Sequence, residues 1–141
     1  MMMTAAIVVF VCEHGSAKSL VAASLFERMA RERGVEARAI SRGTSPDAAV
    51  PPVVVEALRA DGFDVAAFRP RALTGADVGR ATRVVAIGVD LGSLGAKAGA
   101  RAVRWDGVPP VSTHYPEARR DLAARIDRLL EELRTPAGAK P

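Results

Sequence analysis

Apolar residues fall along this chain in two rhythms, and the switches between them mark its elements. Ile7, Val8, Val9, Phe10 and Val11 run without a polar break and are β-branched at four of five positions, the pattern of a strand covered on both faces. From Ser16 to Arg33 the spacing changes. Leu20, Val21, Ala23, Ser24, Leu25, Met29 and Ala30 recur at helical intervals, and Gly34 ends the run. A short strand over Glu36 to Ser41 follows, then a turn-rich loop from Gly43 to Pro52, then a second helix from Val53 to Ala60 that closes at Asp61-Gly62. Phe63 to Leu73 reads as irregular. Thr74 is placed to cap a short helix ending at Arg80, Thr82 to Ile87 is another apolar strand, Leu91 to Ala98 a small helix, and Ala100 to Trp105 the last strand. From Pro116 to Arg134 a terminal amphipathic helix carries Leu122, Ala123, Ile126, Leu129, Leu130 and Leu133 on one face. Strand and helix alternating throughout predict a single α/β domain over residues 5–134, a parallel sheet with helices on both faces. Ligands in such a fold sit beyond the carboxyl ends of the strands. The tail, 135–141, is expected to be disordered.

Composition narrows the function classes. With 141 residues, 49% hydrophobic and 26% charged, the chain suits one compact domain with a real core. The net charge of +4 comes from twenty Lys and Arg against sixteen Asp and Glu. The arginines are spread along helical faces and the aromatics are few, which describes a solvated surface rather than a nucleic-acid binder. One cysteine excludes an internal disulfide framework and a four-cysteine zinc site, and a free thiol suits the cytoplasm. The run from Ala5 to Val11 is far shorter than the ~20 residues of a membrane helix and lacks a signal peptide's flanks, so neither membrane nor secretory segment is expected.

The chemistry concentrates where the first strand ends, at Cys12-Glu13-His14-Gly15-Ser16-Ala17-Lys18-Ser19. Strand, small-residue loop and helix N-terminus in that order gather unpaired backbone N–H groups and the positive end of a helix dipole, which favour a tetrahedral anion and a thiolate. Cys12 is thus the candidate nucleophile. The loop Glu13, His14, Gly15, Ser16, Ala17 and Lys18 is the candidate oxyanion cradle. A lysine in the first turn is electrostatically unfavourable unless an anion offsets it, which argues for the anion. Cys12 and His14 have no third partner nearby, so no metal site is expected. A nucleotide-binding loop would need glycines where Cys12 and Ala17 stand.

These residues resemble the signature of the low-molecular-weight protein tyrosine phosphatase and arsenate reductase family: a strand, Cys, five residues, Arg, then Ser or Thr. Ser41-Arg42-Gly43-Thr44 is similar to the family's Ser-x-Gly-Thr turn, followed by Pro51, a helix and Gly62. The resemblance spans roughly 5 to 134, and its ordering is closer to the arsenate reductase branch. It implies a four-stranded parallel sheet flanked by helices, with Cys12 attacking phosphorus or arsenic and Ser19 steadying the thiolate.

The chain also departs from the family. Lys18 stands for the arginine, exchanging a planar fork for a point charge. Gly15 replaces the usual Asn and can take its left-handed conformation at no steric cost. Pro109 stands where an Asp-Pro general acid would align, leaving Asp106, His114 and Tyr115 as candidate substitutes or rim residues. Gly88 occupies the place of a resolving cysteine, so arsenate reduction would need an external thiol such as mycothiol or glutathione, or a redoxin. The resulting expectation is arsenate reduction at Cys12 with no bound cofactor. The alternatives are hydrolysis of aryl phosphates and non-catalytic binding of a phosphate group or phosphoprotein.

Overall fold

The computed structural model describes residues 5–134; the tail expected to be disordered lies outside the described residues. The elements run β1 (Ala6–Cys12), α1 (Lys18–Glu32), β2 (Ala37–Gly43), α2 (Pro52–Ala60), α3 (Gly75–Arg80), β3 (Arg83–Ile87), α4 (Ser93–Ala98), β4 (Ala102–Trp105) and α5 (Tyr115–Arg134). The strands form one four-stranded sheet in the order β2-β1-β3-β4, parallel at each pairing. The expected three-layer α/β/α architecture is the one observed.

The unbroken apolar run in β1 follows from its central place. Alternate side chains serve opposite faces of a strand. Val8 and Phe10 face a core shared with Leu25 and Phe26 of α1, Val54 and Leu58 of α2, and Leu122, Ile126 and Leu130 of α5. Val9 and Val11 face a smaller core with Val84, Val78 of α3 and Ala98 of α4. The Phe10 ring lies 5.6 Å from Phe26 and 5.7 Å from Trp105, so Trp105 closes the larger core. Each such buried side chain contributes about 1.5–3 kcal/mol relative to exposure.

Most element ends fall near their expected places, and the exceptions have local causes. Helix α1 starts at Lys18 rather than Ser16, because residues 13–17 are taken up by the loop. The last strand starts at Ala102, since Gly99–Arg101 forms a 3₁₀ turn. Helix α4 begins at Ser93, after Gly92 reverses the chain at φ +59°. Thr74 caps α3 as its chemistry predicts: its hydroxyl accepts from the Asp77 N–H at 3.1 Å, and Asp77 Oδ2 accepts from the Thr74 N–H at 3.0 Å. The irregular stretch from Phe63 to Leu73 ends beside β2, where the Gly43 N–H donates to the Arg71 carbonyl at 2.9 Å and the Leu73 N–H to Gly43 at 3.0 Å.

One carboxylate joins three helices. Asp61, at the end of α2, accepts from Arg28 of α1 at 3.1 Å, from the Tyr115 hydroxyl at 2.7 Å, and from Arg119 of α5 through both its Nε and, at 3.2 Å, its Nη2. Burial alone would raise the Asp61 carboxyl, but the bonds from Arg119, Tyr115 and Arg28 outweigh it and hold it at about 2. Burial and the same carboxylate push the Tyr115 hydroxyl well above the usual tyrosine range.

Because Asp61 titrates lower in the folded chain than its unfolded value of about 3.9, its contribution is present above about pH 4 and is lost as pH falls towards 2. Urea unfolding should therefore show wild-type stability falling across that window. Asp61→Asn should be less stable than wild type at neutral pH and should lose less between about pH 4 and 2. Parallel pH profiles for the two proteins would contradict this.

Candidate active site

The carboxyl end of β1 delivers Cys12 into a turn that a close backbone contact shapes. Gly15 lies at φ +64°, and a Cβ built on it would come within 2.8 Å of the Gly43 nitrogen; a Cβ on Gly43 would come within 2.8 Å of the Gly15 nitrogen. Only glycine at both positions lets the loop lie on the end of β2. Backbone bonds fasten it there. The carbonyls of Cys12, Glu13 and His14 accept from the N–H groups of Thr44 at 3.1 Å, Ser45 at 2.7 Å and Asp47 at 3.0 Å.

The fastening also aims the amides. In a trans peptide the C=O and the next residue's N–H point in opposite directions, so the N–H groups of Glu13, His14 and Gly15 face away from residues 44–47. Among the described residues, the N–H groups of Glu13 to Lys18 donate to no protein acceptor, and an anion at this helix start would meet them.

Ser19, in the first turn of α1, stands over the sulfur. Its Oγ is 3.1 Å from Cys12 Sγ and its backbone N–H 3.4 Å. Behind it, Ser41 Oγ lies 2.8 Å from Ser19 Oγ and 3.4 Å from the Gly15 carbonyl. With a thiol, the donors run Cys12 to Ser19 to Ser41 to Gly15. With a thiolate, the Ser19 hydroxyl turns to donate to sulfur alongside the Ser19 N–H, and the Ser41 hydroxyl donates to Ser19 or to the Gly15 carbonyl. Ser19 is thus bonded to the sulfur in either state. Ser41 sits in the Ser-x-Gly-Thr turn, the signal that could have marked it as a support.

The sulfur opens into a cavity of about 240 Å³, lined by Cys12, Glu13, His14, Ala17 and Lys18 on one side and by Ile87, Gly88, Val89, Pro110, Val111 and Ser112 on the other. Lys18 pairs with no carboxylate among the described residues. Ser16 and Gly15 act behind this lining: Ser16 is buried and its hydroxyl donates to Asp47 Oδ2 at 2.6 Å. A larger depression of about 480 Å³ at the amino end of the sheet, around Glu27, Arg31 and Arg38, holds no nucleophile.

The three residues offered as substitutes for the acid do not line this cavity. Asp106 is exposed, and both its oxygens accept from Arg104 Nε at 3.0 and 2.9 Å. His114 is exposed beside Thr113, and its carbonyl accepts from the Ala118 N–H at the start of α5. Tyr115 is committed to Asp61. Gly107, at φ +77°, turns the chain after Asp106, and the burial of Val108 and Val111 presents Pro110, Val111 and Ser112 to the sulfur instead. Ser112 is the polar group on that wall. No local pattern marks it.

A family description, low molecular weight phosphotyrosine protein phosphatase, matches residues 7–97. The chain belongs to that family. Its fold recurs in a YwlE mutant from Bacillus subtilis, with a TM-score of 0.82, 19% identity and coverage of 92% of this chain and 99% of that one. A low molecular weight protein tyrosine phosphatase from T. tengcongensis gives 0.76 at 22% identity, covering 91% and 99%. The thioredoxin-dependent arsenate reductase Cg_ArsC1' of Corynebacterium glutamicum gives 0.71 at 20% identity, covering 94% of this chain and 63% of that one. No curated protein matches. Phosphatases and an arsenate reductase thus share this chain's fold.

Replacing Gly43 by Ala tests the loop's packing. The added methyl meets backbone rather than a movable side chain, so the loop must shift. Gly43→Ala should lower the melting temperature, at a cost of about 1–3 kcal/mol. It should also weaken phosphate protection of Cys12 against iodoacetamide. Unchanged protection would show that the Gly15 contact does not shape the cradle.

Proposed function

We propose that Cys12 performs thiolate chemistry on a tetrahedral oxyanion, with arsenate reduction by an external thiol as the activity. The observation that carries this reading is the thiol bonded by Ser19 at the floor of a cavity that Lys18 lines and that receives no carboxylate from the loop after β4. The sulfur attacks arsenic, an S–As bond forms, and a hydroxyl leaves as water. Hydroxide is as poor a leaving group as an alkoxide, so the departing oxygen must take up a proton as the As–O bond breaks.

Reduction then needs two electrons, and Cys12 is the sole cysteine. An external thiolate attacks the Cys12 sulfur, the S–As pair departs with arsenic as arsenite, and a mixed disulfide remains. A second external thiol releases Cys12 as the external disulfide forms. Gly88, on the cavity wall without a side chain, leaves space beside the sulfur for such a thiol.

Phosphatase action is the second reading. Ile87, Val89, Pro110 and Val111 form an apolar wall suited to an aryl group.

Arsenite production from arsenate with a panel of small thiols and redoxins tests the proposal. The expected result is thiol-dependent arsenite formation that Cys12→Ser abolishes, together with slower iodoacetamide labelling of Cys12 in phosphate or arsenate. Turnover of p-nitrophenyl phosphate without arsenite formation would move the function to the second reading. Absence of protection by either anion would remove the oxyanion site altogether.

Lys18 supplies a further test. A guanidinium can hold two oxygens of the anion where an ammonium offers a point charge. Lys18→Arg should raise kcat/KM for p-nitrophenyl phosphate about tenfold, the worth of one added charged hydrogen bond. A fall would show that the cavity is built around the shorter cation.

A further inference from the structure

The reaction proposed at Cys12 lacks a proton donor on the wall where one is expected, and the anion loop itself carries a candidate. We infer that His14, oriented by Asp47, is the general acid that protonates the oxygen leaving phosphorus or arsenic.

His14 lines the same cavity as Cys12 and Lys18. Its Nδ1 lies 3.2 Å from Asp47 Oδ1, while the other carboxylate oxygen of Asp47 accepts from Ser16 at 2.6 Å. The contact sets the ring beside the Asp47 carboxylate by one nitrogen and leaves Nε2 without a hydrogen bond. Its nearest carboxylate oxygen, Glu13 Oε1, is 3.7 Å away, beyond a hydrogen bond. As the imidazolium, His14 turns Nδ1–H towards the Asp47 carboxylate and carries the transferable proton on Nε2.

The imidazole is not needed to fasten the loop. Three backbone bonds from Thr44, Ser45 and Asp47, and the Ser16–Asp47 bond, already do that. The His14 side chain stays more than half exposed at the cavity rim, where a departing group would pass. The titratable groups around it are Glu13 and Asp47 beside the ring and Cys12 and Lys18 in the cavity lining.

The step balances within this reading. The Cys12 thiolate forms an S–P bond, the P–O ester bond breaks with its electron pair on oxygen, and the Nε2 proton goes to that oxygen. Neutral His14 then takes a proton from the water that hydrolyses the thiophosphate, releasing phosphate and restoring the thiolate. With arsenate the same proton leaves in the water displaced from arsenic.

The inference rests on the oxyanion reading of Cys12, and leaving-group dependence separates the two. kcat/KM is measured for p-nitrophenyl phosphate and for phenyl phosphate, whose poorer leaving group needs the proton more. His14→Gln should lower both, and phenyl phosphate at least about tenfold further. The ratio of the two constants does not depend on how much of a preparation is folded, so a partly unfolded variant still reports. Asp47→Asn, which acts through the ring's orientation, should move the ratio the same way by a smaller factor.

A ratio unchanged by His14→Gln overturns the inference. So does a ratio that moves with Glu13→Gln and not with His14→Gln, since the donor is then a carboxylate. A wild-type protein that neither hydrolyses an aryl phosphate nor reduces arsenate removes the reading of Cys12 and this inference together.

Discussion

The site depends on two backbones meeting at a distance that no side chain tolerates. Gly15 and Gly43 are 28 positions apart in the chain, yet each would drive a Cβ to 2.8 Å from the other's nitrogen. That contact lays the loop along the end of β2. It lets the carbonyls of Cys12, Glu13 and His14 reach the amides of Thr44, Ser45 and Asp47, and it turns the loop's own amides the other way. Ser16 and His14 meet Asp47 only because the loop lies there. The same placement brings the Gly15 carbonyl to Ser41, so the hydroxyl chain behind the sulfur follows from this contact too.

A close approach of this kind is only as rigid as the strand end it rests on. The end of β2 is held on three sides: by β1, by the Arg71–Leu73 segment, and by Arg42, whose guanidinium donates to the buried Asp77 at 2.9 and 3.3 Å. Asp77 is buried, which alone would raise its carboxyl, but Arg42 and the Thr74 capping box hold it below the usual range. On the other flank, Asp61 holds the start of α5, and the loop carrying Pro110 to Ser112 leads directly into that helix. Buried charges of this sort add little net stability but are costly to break. Their effect is to fix the two supports of the cavity in position.

The fold was legible because its determinants are local. The uninterrupted run of β1, the helical spacing of α5 and the Thr74-to-Asp77 cap each lie within a few residues. The local geometry of the loop was legible for the same reason, since Cys12, the loop and Ser19 fall within eight consecutive positions. The supports were not. Asp47 and Ser112 reach the site through long-range packing that no periodicity encodes, and Ser41 is marked only by its Ser-x-Gly-Thr turn. Asp106 lies apart from the cavity lining for a physical reason. It follows the last strand as an acid should, but Arg104 two positions earlier captures its carboxylate and Gly107 turns the chain away. An arginine so close in sequence was the available warning.

A donor on the anion loop changes how the site operates. When nucleophile and acid sit on separate loops, their mutual geometry is set only once those loops close on the substrate, and the closure is drawn from binding energy. Here Cys12 and His14 are two positions apart on one loop, fastened by the same three backbone bonds. Their backbones are held together before any ligand arrives. Such preorganisation lowers the reorganisation needed at the moment of reaction. It also ties the two groups to one fate, because any distortion at the Gly15–Gly43 contact moves nucleophile, amides and donor together. The opposite wall is released from that constraint, so Pro110, Val111 and Ser112 can serve to select the group that departs.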